Sequence, residues 1–222
     1  MGKSKDLATL TDDSVTFNAG GTFTAIKAAS TQYTDFELLD TTNNYAWIMS
    51  NRGTSPASFE ILTRDASNTY TQPLKIDASG RVTMPYQPAF SAYPSTTYTI
   101  GGTGFYDIVQ ADSVKSNVGS CYNTSTYLFT APVAGSYAFF GILRFNSHSG
   151  SYLRAAFAIN GTNDLTYGAD INQDTGNYTT CSIASVIQLS ANDTVSLVGR
   201  SQSDASVDIS NAGTTFSGHL IG

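Results

Sequence analysis

Residues 136–145, SYAFFGILRF, carry large apolar side chains at both strand parities. Tyr137, Phe139, Leu143 and Phe145 fall on one face, and Ala138, Phe140 and Ile142 on the other. A half-solvated antiparallel strand alternates apolar with polar residues, so this one needs cover on both faces. One face can fill the core of a sandwich. The other is either roofed by the chain's own loops or lies at a subunit interface, and an interface is the expectation adopted here. Tyr137, Phe139, Phe140, Leu143 and Phe145 are its candidate residues.

The rest of the chain is punctuated as short strands. No helical period of useful length occurs in its 222 residues, which predicts an all-β protein. Strands are expected near 88–93, 105–112, 127–130, 136–145, 152–159, 164–168, 178–189, 194–200 and 214–221, separated by Gly, Asn, Asp and Ser clusters. Such spacing predicts a sandwich or jelly roll. Ahead of them, DFELLD (35–40), YAWIMS (45–50), SFEILTRD (58–65), LKID (74–77) and RVTM (81–84) read as successive short strands. Their apolar content is thin for a core of their own, and association with further copies, as in a trimeric shaft, would solve the burial problem.

Met84-Pro85-Tyr86-Gln87-Pro88 marks a boundary, because two prolines in four residues stop a central strand. The chain therefore divides into 1–84, an attachment and β-rich shaft region, and 85–222, a head. Charged residues are only 13% of the chain, while Ser and Thr number 27 and 29. The net charge is −6, with 11 scattered Lys and Arg, which excludes the basic clusters a nucleic-acid partner requires. No apolar run is long enough for membrane insertion, and MGKSKDLATLTDD lacks the apolar core of a signal peptide. Cys121 and Cys181 are expected as buried thiols rather than a disulfide.

Catalytic chemistry is hard to find. The two histidines are His148, in the polar run NSHSGS, and His219, in a strand-like close. There is no G-x-S-x-G elbow, and Gly101-Gly102-Thr103-Gly104 lacks the Lys and helix of a phosphate loop. Eight Asp in the head offer no spacing that selects a glycosidase pair. Asp170, Asn172 and Asp174 begin a calcium-loop pattern, but Thr175 stands where Gly is needed and no Glu closes it. The chain is expected to be no enzyme and to need no cofactor, with Ca²⁺ at these three residues the weak alternative.

From Pro85 onward the sequence resembles a known family. PAFSA (88–92), FYDIV (105–109), Asn117, GSCYNTSTYLFTAPVAGSYAFFG (119–141), SANDTVSL (190–197) and TTFSGHLI (214–221) follow in the order found in the globular head of complement component C1q. The resemblance implies a ten-stranded C1q/tumour-necrosis-factor jelly roll that assembles as a homotrimer, with His219 in a packing role. LKIDASGRVTMPYQPAF (74–90) is similar to the shaft-to-head passage of bacteriophage tail fibres. Together these imply a non-enzymatic trimeric virion fibre or spike, made in the host cytoplasm. Residues 1–84 would hold other virion proteins, and the head would bind a host-surface glycan or protein. A capsid-decorating or tail-adaptor protein is the alternative, ahead of a polysaccharide depolymerase or a secreted lectin. If strands alternate in direction from the shaft, loops 94–104, 145–151, 169–177 and 202–213 lie at the far end. Their candidate receptor-binding residues are Tyr93, Tyr98, His148, Asp170, Asp174, Tyr178, Asp204 and Asp208.

Overall fold

The computed structural model describes residues 34–40, 42–52, 57–101, 106–148, 151–173, 176–202 and 206–222. Of the attachment and shaft region expected over 1–84, the first 33 residues fall outside this range. Two compact units divide the chain, one built mainly from residues up to Val82 and one mainly from Thr83 onward.

The first unit is a five-stranded meander in sequence order. Its strands are β1 (Thr34–Asp40), β2 (Tyr45–Arg52), β3 (Ser58–Arg64), β4 (Tyr70–Asp77) and β5 (Val82–Thr83). Turn chemistry sets the hairpins. Asn44 takes a left-handed φ of 57° between β1 and β2, and Asp77 accepts the Ser79 and Arg81 amides around Gly80 at φ +78°. The two faces differ as alternation requires. Ala46, Ile48 and Leu62 form a small buried cluster. On the same face the buried Glu60 accepts a hydrogen bond from Ser58 Oγ at 2.7 Å and meets Lys75 Nζ at 3.4 Å. On the other face Phe36, Leu38, Trp47, Met49 and Phe59 are exposed. Register sets Phe36 opposite Met49 and Leu38 opposite Trp47, so these side chains form continuous rows.

The second unit is a sandwich of two mixed-order antiparallel sheets. Its strands begin with β6 (Ala89–Tyr93), β7 (Tyr98–Gly101), β8 (Asp107–Ile108), β9 (Ser113–Val118), β10 (Tyr122–Asn123) and β11 (Leu128–Thr130). They continue with β12 (Gly135–His148), β13 (Ser151–Ile159), β14 (Thr162–Gln173), β15 (Gly176–Leu189), β16 (Thr194–Ser201), β17 (Ser206–Ile209) and β18 (Thr215–Leu220). One sheet centres on β12, which carries β15 along one edge and β18 and β17 in succession along the other; β6 and β9 extend it beyond β18, and β7 beyond β17. The second sheet runs β10-β11-β16-β13-β14, with β8 also paired to β16. The all-β expectation and the jelly-roll class both hold. Strands β7, β9, β10 and β17, which lack large apolar runs, are additional to those read from the sequence.

The core is largely aromatic. Phe90 stacks on Tyr122 at 4.8 Å and meets Phe216 edge-on at 4.8 Å, while Phe129 meets Tyr137 and Phe139 edge-on at 5.2 Å. The TAPVAGSY run (130–137) is a core device: Tyr137 donates its hydroxyl to the Val133 carbonyl at 2.8 Å, and Ala131 pairs with the 190–194 turn. Cys121 and Cys181 are both free and buried, and burial pushes both thiols up.

The structure corrects the interface list. Tyr137, Phe139, Leu143 and Phe145 are each fully buried within the single chain, because they are the inward parity of β12. They supply the sandwich core and present nothing to a partner. The outward parity stays open: Phe140 is 47% and Ile142 39% exposed, beside Val186 at 60% on β15. Of the five candidates only Phe140 faces outward.

Candidate ligand-binding surface

Register gathers one set of strand ends. Ser151 lies opposite Gln173, Leu153 opposite Ser201, His148 opposite Gly176 and Ser206 opposite Gly101. The ends of β7, β12, β14 and β16 therefore share one end of the sandwich. Gly135, Leu189, Ile159 and Leu220 mark the other end, where Leu220 donates its amide to the Pro88 carbonyl at 3.0 Å.

The predicted receptor residues do not form one cluster. Tyr98 packs against the core, and its hydroxyl accepts the Gln110 amide at 2.8 Å. Burial pushes its hydroxyl well above the ordinary tyrosine range. Tyr93 lies on the β6–β9 pair with Lys115 Nζ 5.7 Å over its ring. Asp208 accepts the Thr99 hydroxyl at 2.6 Å, a bond that ties β17 to β7. Tyr178 is exposed and carries Arg144 on its ring at 3.9 Å, while Arg144 Nη1 donates to the Ala212 carbonyl at 2.8 Å. Asp174, Asp204 and the side chains of His148 and Asn172 fall outside the described residues. Residues 94–97 belong lower on the sandwich, where Thr97 Oγ1 and the Ser95 carbonyl bind the Asn211 amide.

Asp170 is placed differently from the calcium reading. It forms a two-oxygen ion pair with Arg154 Nε and Nη2 directly across the β13–β14 ladder. That arrangement gives the carboxylate a cation of the protein's own in place of a metal. Among the described residues no group of three His, Cys, Asp or Glu could hold a metal ion.

A surface not foreseen in the sequence surrounds Tyr106. Its hydroxyl accepts from Arg154 Nη1 at 3.1 Å, and Arg200 lies 5.5 Å over its ring. To one side is a shallow groove of about 500 Å³ bordered by Thr99, Asp107, Gln110 and Tyr127. To the other is a polar recess of about 80 Å³ formed by Tyr152, Arg154, Asp170, Arg200 and Gln202. Aromatic rings beside amides, hydroxyls and charge suit a polar ligand with apolar faces, the chemistry of a saccharide.

Several solved structures are similar to part of the chain. The globular domain of zebrafish complement 1qA is 16% identical, covering 61% of this chain and 98% of its own, with a TM-score of 0.42. Murine APRIL at pH 5.0 is 12% identical, covering 61% of this chain and 99% of its own, with a TM-score of 0.48. Eiger TNF from S. frugiperda is 7% identical, covering 61% and 91%, with a TM-score of 0.46. No curated protein matches. The sequence profile of the C1q domain matches residues 89–221, which span both sheets and the surface around Tyr106, and the chain thus belongs to the C1q domain family.

Proposed function

We propose that this protein is a non-enzymatic homotrimeric adhesive fibre of a virion, whose C1q head binds a saccharide on the host surface. C1q/TNF-like domains are typically binding domains and form homotrimers. The observation that carries the reading here is the outer face of β12 and β15. The core beneath it is already complete, yet Phe140, Ile142, Ala184 and Val186 leave an exposed apolar strip beyond it. His219 stacks on Phe140 at 6.2 Å and lengthens that strip. The exposed rows of the first unit, Phe36 with Met49 and Leu38 with Trp47, are a second apolar face of the kind that copies of a shaft cover. The likeness of residues 74–90 to a phage shaft-to-head passage supports the virion setting and attachment through residues 1–84.

Threefold display makes a weak single-site contact strong through effective concentration. Purified full-length protein should bind host cells, or their extracted surface polysaccharide, saturably. The Phe140→Asp variant, expected to be monomeric, should bind about 10²-fold more weakly or less than that. An absence of saturable binding by the wild type contradicts the adhesive reading.

A further inference from the structure

We propose that the recess beside Arg200 receives the acidic substituent, carboxylate or sulfate, of a surface saccharide; the inference rests on the adhesive reading above. Four strands bring its parts into one row. Arg200 on β16 stands directly opposite Arg154 on β13, which stands directly opposite Asp170 on β14. Asp107 on β8 lies opposite Gly199, which places Tyr106 beside Arg200.

Two like charges opposite each other on neighbouring strands repel, and a single carboxylate offsets only one of them. Arg154 is fully engaged: Nε and Nη2 go to Asp170, and Nη1 goes to the Tyr106 hydroxyl. Arg200 has no hydrogen-bond acceptor or ion-pair partner among the described residues, and its Nε is buried. Among the described residues the one interaction of its guanidinium is with the Tyr106 ring. Stacking holds the guanidinium in place without using its N–H donors. A buried donor left unmade costs free energy, and an incoming oxyanion would satisfy it.

Charge distribution points the same way. The 138 residues from Pro85 carry four Lys and Arg against eight Asp, and two of those four cations meet here. The recess is a local positive site on a negative molecule. Its 80 Å³ corresponds to about two or three water molecules, room for an acidic group but not for the ring that bears it. The ring would rest outside, where Tyr152 is 48% exposed and the Gln202 amide is open to solvent. An extended phosphate backbone would need a track of cations, and one isolated pair does not make a track.

The test is surface plasmon resonance of the full chain over immobilised polygalacturonate, dextran sulfate and neutral dextran, with whole cells assayed in parallel. The wild type should bind one or both acidic polymers saturably and ignore neutral dextran; the preferred polymer tells carboxylate from sulfate. Arg200→Ala and Arg200→Gln should each weaken that binding at least ~10-fold while thermal melting stays unchanged. Asp170→Asn, which frees Arg154, should strengthen it. Binding to the acidic polymers that survives both Arg200 variants overturns the site. So does wild-type binding to cells with none to either acidic polymer, although the adhesive reading then stands. A wild type that binds neither cells nor polymers overturns both.

Discussion

Gly218 shows how a single position fixes the closing strand. A Cβ there would stand 2.6 Å from Phe139 Cδ1 and 3.0 Å from Phe90, so the FSGHL run needs a residue without a side chain where two core rings meet it. Asp112 works by charge instead. It accepts the Ser95 amide at 2.7 Å and the Ser95 hydroxyl at 2.6 Å, and the hydroxyl bond chiefly holds its carboxyl below the usual value of 3.8. Asp193 is lowered in the same sense, mainly by the Asn160 side chain and then by the Ser190 amide. A carboxyl depressed in the folded state stabilises it above the unfolded value, and that contribution is lost as pH falls through the folded one. Thermal melting between pH 5 and pH 2.5 should therefore drop less steeply in an Asp112→Asn, Asp193→Asn double variant than in the wild type. Equal slopes would remove these two turns from the acid response.

At the scale of the strand, β12 separates folding from assembly by parity. Phe139→Ala removes a fully buried ring and should cost about 3–5 kcal/mol of stability by chemical denaturation. Phe140→Asp, one residue along, should leave the sandwich folded by circular dichroism while dissociating the proposed trimer. Loss of folding in Phe140→Asp would place that ring in the core after all. The sequence made the need for cover on both faces visible, because both parities of residues 136–145 are apolar. It did not say which face turns inward, since alternation carries no sign when neither face is polar. β7 (YTIG), β9 (SVKSNV), β10 (YN) and β17 (SVDI) were not legible for a related reason: such short strands are held by backbone pairing and neighbours that leave no local pattern. The row of Tyr106, Arg200, Arg154 and Asp170 was hidden by sequence distance, its residues coming from separate parts of the chain. Its one trace is a lone Arg in each of two strands, YLRAAFAI and TVSLVGRS, that carry no other charge.

For the whole molecule, the two units share one property: each buries one set of apolar side chains and leaves a second set open. In the first unit the open set is Phe36, Leu38, Trp47, Met49 and Phe59, and in the second it is Phe140, Ile142 and Val186. A chain on its own would hold both faces in water, and the proposed threefold assembly is one that would cover such faces. Assembly also ties stability to protein concentration, since the folded chain gains what the interface contributes. Light scattering on the full-length protein in solution tests this most directly. A mass of about 70 kDa, three times the 23.5 kDa of the chain, is the expected result, and a stable species of 23.5 kDa at the same concentration would contradict it.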